Sequence, residues 1–237
     1  MKQELKKILE LNHTAKIKDF VQVKTYASYI KQNDDRGEDI LLIKKNISAD
    51  NNIIALVGKS GKSDYIITGD FNTLCYLSFF LNSIWGKVSI LPKHKFEDGQ
   101  GQTNVLLIKN TDIIRNTEIE PYCILVERII SFLAIYLEKY GINVDNHSDT
   151  IKRFFENLRN FIVMELMMPQ LFEKNDVSII YPWIKEVNLI TNPDDISDSI
   201  TQIFTSLFKS GNPLMENMNK MRLFITQFTQ YMSERNG

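Results

Sequence analysis

The spacing of apolar residues changes near residue 115, and this change predicts two structural regions. Before it, short runs rich in β-branched residues alternate with turn signals; after it, apolar residues recur three and four positions apart. The first pattern predicts strands and the second predicts helices. We therefore expect an α+β protein, with a mostly antiparallel sheet and one or two helices over residues 1–115 and an all-helical region over residues 116–237. The two regions could also pack as one compact unit.

The first region is predicted to begin with a helix at residues 3–11 and to contain a second helix that Asp70 or Asn72 caps and Gly86 ends. Residues 39–47, 53–57 and 65–68 are expected to form an antiparallel meander. Three further apolar runs are predicted to be strands: residues 15–24, 87–91 and 105–109.

The second region is predicted to hold five helices. Pro121 stands at an opening position of the first, over residues 120–140, and Pro169 should end or kink the second, over residues 148–172. A shorter helix follows from Tyr181 to about residue 189. Asn192 and Asn212, each followed by proline, are expected to cap the last two, to about residues 208 and 233.

Composition indicates a folded protein without a membrane span. Hydrophobic residues make 43% of the chain and charged residues 24%, which is typical of globular proteins. The most apolar segments, residues 74–85 and 124–137, are too short or too charged to cross a bilayer, so we interpret both as buried helices. The N-terminus lacks a secretory signal pattern. Cys75 and Cys123 stand in apolar runs, which predicts buried thiols of a reducing compartment.

The chain contains 31 Ile, 21 Lys and 21 Asn residues. All three have codons built mostly from A and T, so the bias indicates an AT-rich genome, such as that of a low-GC bacterium, a phage or another virus; for an assembly component, a phage or other mobile element would be a natural source. Since neither a secretory signal nor a membrane span is predicted, we expect a cytoplasmic protein, or a virion protein if a phage encodes it. The same bias lowers the value of lysine runs as functional signals.

The formal charge of −1 is unevenly distributed. Residues 1–115 hold 17 Lys and Arg against 13 Asp and Glu, a net of +4, and residues 116–237 hold 11 against 16, a net of −5. A basic first region permits contact with nucleic acid, and the opposite signs permit attraction between copies of the chain.

The motif Gly58-Lys59-Ser60-Gly61-Lys62-Ser63 follows an apolar run and resembles a phosphate-binding loop only superficially. Two residues rather than four separate its glycines, and a strand pattern rather than a helix follows it. We interpret it as a β-hairpin turn whose tip projects Lys59 and Lys62.

Lys87, Lys93 and Lys95, the last two flanking His94, form a second basic cluster. Together with Lys59 and Lys62 they could contact a nucleic-acid backbone. The simpler interpretation is a solvated loop in a lysine-rich chain, because Phe96 is the only neighbouring aromatic residue available for base stacking.

Asp64, Asp70 and Glu97 stand near predicted strand ends, where clustered acids could bind the metal of a nuclease. The competing interpretation is that Asp64 and Asp70 bracket a turn and cap a helix. The three histidines are far apart and show no zinc-ligand spacing. No resident metal and no cofactor are predicted.

Seven of the eight methionines lie after residue 160. Met218, Met221, Phe224 and Phe228 share one face of the predicted last helix, which must pack on its own domain or on a partner.

These features favour a non-enzymatic structural or adaptor component of a multiprotein assembly, with a protein partner or a second copy as the binding partner and no membrane association. The first alternative is a nucleic-acid-binding accessory protein that uses the lysine-tipped hairpin. The second is a metal-dependent nuclease.

Overall fold

The computed structural model describes residues 3–25, 27–29, 40–43, 46–48, 54–55, 64–90, 100–140, 146–192, 194–207 and 209–222. The chain divides into two compact units. One, the sheet unit, is His13–Arg115, and the other, the helical unit, contains residues 3–12 and 116–222 of the described chain. The predicted α+β class, with a sheet region before a helical one, is confirmed.

The sheet unit contains eight short described strands in three antiparallel sheets. The strands are β1 (His13–Lys16), β2 (Gln22–Thr25), β3 (Ile40–Ile43), β4 (Asn46–Ser48), β5 (Ile54–Ala55), β6 (Tyr65–Thr68), β7 (Gln100–Gln102) and β8 (Asp112–Arg115). β1 pairs with β8, β4 pairs with β7, and the largest sheet has the order β2-β6-β3-β5. Ile43, Ile66 and Ile67 are buried in it.

The predicted meander has the wrong strand order. β6 pairs with β3 on one side and β2 on the other, while β5 pairs with β3. β3 therefore lies between β5 and β6, which a meander would have placed side by side. Local pattern identifies strands but leaves open which strand each one joins, because pairing is decided by contacts distant in sequence.

The helix predicted after residue 70 is α2 (Phe71–Leu81), and the prediction that Asp70 caps it is confirmed. The predicted end at Gly86 is wrong, because Asn82 closes α2 and a new short helix, α3 (Ile84–Ser89), follows. Gly86 is inside α3, where an added Cβ would stand 2.2 Å from the carbonyl oxygen of Phe80. This glycine therefore permits the close approach of two helices and does not end one.

Two predicted strands are helices. Residues 87–91 and 105–109 were both predicted to be strands. Instead, Lys87 to Ser89 lie in α3, and residues 105–109 lie in α4 (Val105–Asn110). The strand that completes this part of the unit is β8, which follows α4 directly. The Tyr76 hydroxyl of α2 donates a hydrogen bond to the carbonyl of Ile114 in β8, and this bond connects helix and strand within the unit.

The helical unit is built around two long helices, α5 (Glu120–Tyr140) and α6 (Asn146–Met167). Each is about 30 Å long at 1.5 Å per residue. The five residues between them are too few to return along that length, so the pair is antiparallel. The predicted start of α5 at Glu120 and Pro121 is confirmed.

Three helices pack after this pair: α7 (Pro169–Lys174), α8 (Ile180–Val187) and α9 (Ile196–Leu207). Residues 213–222 are also helical. Pro169 begins α7 where α6 ends, as predicted. Trp183 is fully buried, its ring meets Phe155 edge-on, and its indole N–H donates to the carbonyl of Tyr122 at 3.1 Å. These contacts connect α5, α6 and α8 in one core.

The first helix, α1 (Gln3–Glu10), belongs to the helical unit. The Asn116 side chain donates to the carbonyl of Ile8 at 2.8 Å, and the Asn12 side chain donates to the carbonyl of Leu166 at 3.3 Å. No helix of the described chain is long and apolar enough to cross a membrane.

Candidate functional site

The two described acidic residues of the predicted nuclease site, Asp64 and Asp70, do not lie together. Asp64 directly precedes β6 and Asp70 follows it, so they flank opposite ends of a strand about 13 Å long. Glu97 lies outside the described residues. Among the described residues, no group of three or more His, Cys, Asp and Glu side chains is arranged to hold a metal ion.

Asp70 is the N-terminal capping residue of α2. Its carboxylate accepts a hydrogen bond from the backbone N–H of Thr73 at 3.0 Å and so caps α2. Hydrogen bonds from the Thr73 side chain and backbone lower the pKa of Asp70. The carboxylate is therefore held ionised at a helix N-terminus, where negative charge is favoured.

Replacing Asp70 by alanine should lower the free energy of unfolding by about 1 kcal/mol, because α2 loses its cap. Asparagine accepts the same hydrogen bond, so Asp70→Asn should cost less. Urea unfolding of the two variants measures both values. Equal losses in both would show that charge rather than capping matters at this position.

The five lysines predicted to contact nucleic acid are mostly outside the described chain. Lys59, Lys62, Lys93 and Lys95 lie among residues that are not described. Lys87 is in α3 and is 9% exposed, so its side chain does not stand free on the surface. The nucleic-acid hypothesis stays a prediction.

The glycine motif at residues 58–63 lies outside the described residues, but the strands on its two sides are described. β5 and β6 do not pair with each other, since β3 lies between them. The predicted β-hairpin is therefore wrong in its pairing. The segment is followed by strand β6 rather than by a helix, as expected from the sequence.

The methionine face of the last helix is turned inward where it is described. Met218 is 6% exposed and Met221 is fully buried in the chain. Phe224 and Phe228 lie outside the described residues. The two methionines therefore fill the core and present no surface to a partner.

An exposed apolar face on α5 was not predicted, since residues 124–137 were expected to be buried throughout. Phe132, Ile135 and Tyr136 are all exposed, and Ile135 is 64% exposed. Positions three and four apart lie on one side of a helix, so the three side chains form one surface, the α5 surface. The opposite side of α5 is buried through residues such as Ile129 and Leu133.

Acidic side chains adjoin the α5 surface at one end. Arg128, one turn before Phe132, lies 3.9 Å from the carboxylate of Asp194. Asp195 caps α9 through the backbone N–H of Asp198 at 3.0 Å. Three carboxylates, of Asp194, Asp195 and Asp198, and the guanidinium of Arg128 thus gather where α9 begins beside α5, and their charges sum to a net negative value.

The sheet unit has an exposed apolar side chain of similar size next to lysines. Leu106 in α4 is 68% exposed. One turn later, Asn110 accepts hydrogen bonds from Lys16 through its carbonyl at 3.3 Å and from Lys18 through its side chain at 3.2 Å. Leu106, Lys16 and Lys18 form what we term the α4 surface.

The core of the helical unit contains buried acidic side chains that are held by polar contacts. Arg159 of α6 and Glu127 of α5 form an ion pair at 3.3 Å, and their side chains are 3% and 1% exposed. One carboxylate oxygen of Glu165 accepts from the backbone N–H groups of Ile179 and Ile180 at 2.7 and 2.8 Å. Burial raises the pKa of Glu165 to about 7, although these hydrogen bonds oppose the rise.

Both cysteines are buried and neither forms a disulfide, so the prediction of core thiols is confirmed. Burial, with a smaller contribution from Glu120, raises the pKa of Cys123 well above its ordinary value. A thiol that is buried and protonated is a poor nucleophile. Of the three histidines, His13 lies in β1, His147 lies in the first turn of α6, and His94 is outside the described residues.

No protein-family model matches the chain, and no curated protein and no solved structure matches it either.

Proposed function

We propose that the protein is a non-enzymatic structural or adaptor component of a multiprotein assembly in which copies of the chain associate head to tail. The observation that carries the proposal is the α5 surface, with Phe132, Ile135 and Tyr136 exposed within one turn. Contiguous exposed apolar side chains on a protein surface are typical of interaction sites. The AT-rich coding bias is compatible with a phage or other mobile element, whose assemblies are built from such repeated contacts.

Charge favours a second copy as the occupant of the α5 surface. The residues of His13–Arg115 include 14 Lys and Arg against 11 Asp and Glu, a net of +3, whereas residues 116–237 carry −5. Contact between two α5 surfaces would bring like charges together. Contact between the α5 surface of one copy and the α4 surface of the next brings opposite charges together.

The charged side chains beside the two surfaces also favour contact between the α5 surface of one copy and the α4 surface of the next. The acidic group at the start of α9 adjoins the α5 surface beside Arg128, and Lys18 lies near Leu106 on the α4 surface together with Lys16, which also pairs with Asp112 at 3.2 Å. Burying an isoleucine or leucine contributes about 1.5–3 kcal/mol. An apolar centre with a charged rim of opposite sign is the usual arrangement of a protein interface. A heterologous contact of this kind builds a ring or an open filament.

Light scattering over a range of concentrations tests the proposal with two variants. We expect the wild-type mass to rise with concentration and to fall towards 27.6 kDa as salt is added, because salt screens the rim charges. Ile135→Glu and Leu106→Glu should each weaken association at least tenfold. Leu189→Glu, which changes an apolar side chain that is 73% exposed elsewhere on the helical unit, is the matched control and should associate like the wild type.

Mixing the two defective variants gives the decisive result. Each variant keeps one intact surface, so an equimolar mixture should form dimers but no larger species. A chain that stays monomeric up to about 1 mM, where even very weak contacts are populated, would refute the proposal. Loss of association in Ile135→Glu with none in Leu106→Glu would show that another surface occupies α5 and would refute the head-to-tail contact.

A further inference from the structure

A cavity of about 310 Å³ lies in the helical unit between the C-terminal end of α8 and the side of α9. Leu189 and Ile190 supply apolar walls, and Thr201, Gln202 and Thr205 supply polar ones. This volume is at the lower end of the range for small-ligand sites. The cavity shares no residue with the α5 surface.

A buried carboxylate borders this cavity. Glu186 is 9% exposed, and one of its oxygens accepts a hydrogen bond from the Asn212 side chain at 2.7 Å. The Asn212 side chain is held in place, because its Oδ1 oxygen accepts hydrogen bonds from the backbone N–H groups of Leu214 and Met215. The second oxygen of Glu186 is buried and has no hydrogen-bond partner among the described residues. Buried carboxylate oxygens without a donor are costly and therefore rare.

Three of the polar side chains that line the cavity donate hydrogen bonds to other parts of the chain. The Thr201 hydroxyl donates to the carbonyl of Ser197 at 3.1 Å, and the Thr205 hydroxyl donates to the carbonyl of Thr201 at 2.8 Å. The Gln202 amide donates to the carboxylate of Asp198 at 2.6 Å. Because the threonine hydroxyl hydrogens are already donated to these carbonyls, the threonine oxygens can only accept hydrogen bonds from a ligand.

We propose that this cavity binds a guanidinium or ammonium group carried on an apolar stem. The cation would pair with the second oxygen of Glu186 and with the threonine oxygens, and the stem would lie along Leu189 and Ile190. Arginine and alkyl amines have this chemistry, since they carry several N–H donors and no acceptor. The oxygen of Glu186 is buried, so binding requires its carboxylate to turn towards the cavity. The site requires no self-association and therefore goes beyond the proposed function.

Lys209 allows the sign of the ligand charge to be tested. Its exposed side chain also lines the cavity. A lysine near a bound cation weakens binding by like-charge repulsion, whereas it would strengthen the binding of an anion. Lys209→Met should therefore tighten the binding of a cation severalfold.

Titration of the full chain with two probes, followed by NMR of the Leu189 and Ile190 methyl groups, tests the inference. Agmatine represents a free amine, and N-acetyl-arginine amide represents the side chain of a polypeptide. The neutral isostere N-acetyl-citrulline amide is the matched control ligand. We expect both cationic probes to bind at least tenfold more tightly than the citrulline compound.

Three variants determine whether the named residues are responsible. Glu186→Gln keeps the acceptor for Asn212 but removes the charge, and it should weaken binding at least tenfold. Thr205→Val changes an exposed position and removes the hydroxyl acceptor, and it should weaken binding severalfold. Glu173→Gln, an exposed carboxylate of α7, should leave binding unchanged.

The relative affinities of the probes identify the class of ligand or overturn the inference. Tighter binding of the arginine derivative identifies a polypeptide side chain as the ligand, and tighter binding of agmatine identifies a free amine. No binding of either probe, equal binding of the citrulline compound, or binding that Thr205→Val and Glu186→Gln both leave unchanged would overturn the inference. Weaker binding in Lys209→Met would do the same.

Discussion

Replacing Arg159 by methionine should lower the free energy of unfolding of the helical unit by about 3–5 kcal/mol. Arg159 and Glu127 are almost completely buried, with side chains 3% and 1% exposed. Methionine fills much of the same volume but leaves the Glu127 carboxylate in the core without this counter-charge. The cost of the buried charge, rather than the strength of the ion pair, sets the size of the effect.

Arg153→Met is the matched control, because it makes the same substitution on the same helix. Arg153 lies 2.9 Å from Asp149, but its side chain is 73% exposed. An exposed pair contributes less than about 1 kcal/mol, so this variant should unfold nearly as the wild type does. Urea unfolding followed by Trp183 fluorescence in a Trp85→Phe background reports on the helical unit alone. Similar losses in both variants would show that burial does not decide the cost.

The double variant Arg159→Met with Glu127→Met separates two explanations of a large loss. If the loss of stability in Arg159→Met comes from the buried charge of Glu127, removing that charge should restore most of the stability. Apolar residues often replace buried ion pairs without cost. If the loss comes from disturbed packing between α5 and α6, the double variant should be worse than either single one.

The elements that the sequence predicted correctly are those with a local chemical signal. Asp70 stands before α2 and caps it, Pro121 stands in the first turn of α5, and Pro169 opens α7. A capping side chain or a proline acts within a few residues of its own position. Such signals can therefore be recognised without knowing the rest of the fold.

The two strands that proved to be helices carried capping signals that the apolar pattern outweighed. Asn104 accepts a hydrogen bond from the backbone N–H of Leu107 at 2.9 Å and opens α4. Ser83 accepts from the backbone N–H of Gly86 at 3.0 Å at the start of α3. Short apolar runs do not distinguish a strand from a helix, so the capping residue before each helix was the better evidence.

The candidate sites could not be predicted, because they depend on contacts distant in sequence. Residues 129–137 are apolar on nearly all sides, so the sequence does not tell which side of α5 packs on α6 and which remains exposed. Glu186 and Asn212 are 26 positions apart and meet at 2.7 Å only through the packing of the final helices. Nothing in either local pattern indicates a buried, half-satisfied carboxylate.

The largest expected effect of pH on stability comes from Glu165, whose pKa burial raises from its ordinary value of 4.5 to about 7. Between these two values the folded chain binds more protons at this residue than the unfolded chain does. The contribution of Glu165 to stability is therefore full below pH 4.5 and is lost as the pH rises through about 7. A shift of this size corresponds to about 3 kcal/mol.

Glu165→Gln should remove this dependence. One side-chain oxygen of Glu165 accepts both backbone N–H groups at the start of α8, and the glutamine carbonyl can accept both in its place. At pH 4 the variant should be about as stable as the wild type, because both side chains are then neutral. At pH 8 the variant should be more stable by about 2–3 kcal/mol, since only the wild type carries a buried charge.

Urea unfolding of the two proteins at several pH values between 4 and 8 measures this difference directly. The other titrating groups are common to both chains, so their contributions cancel and the difference reports Glu165 alone. The stability difference should grow through the whole interval from pH 4.5 to about 7. A constant difference would show that Glu165 titrates alike in the folded and unfolded chains. A growing disadvantage of the variant would show that the ionised carboxylate is the form that α8 requires at its N-terminus.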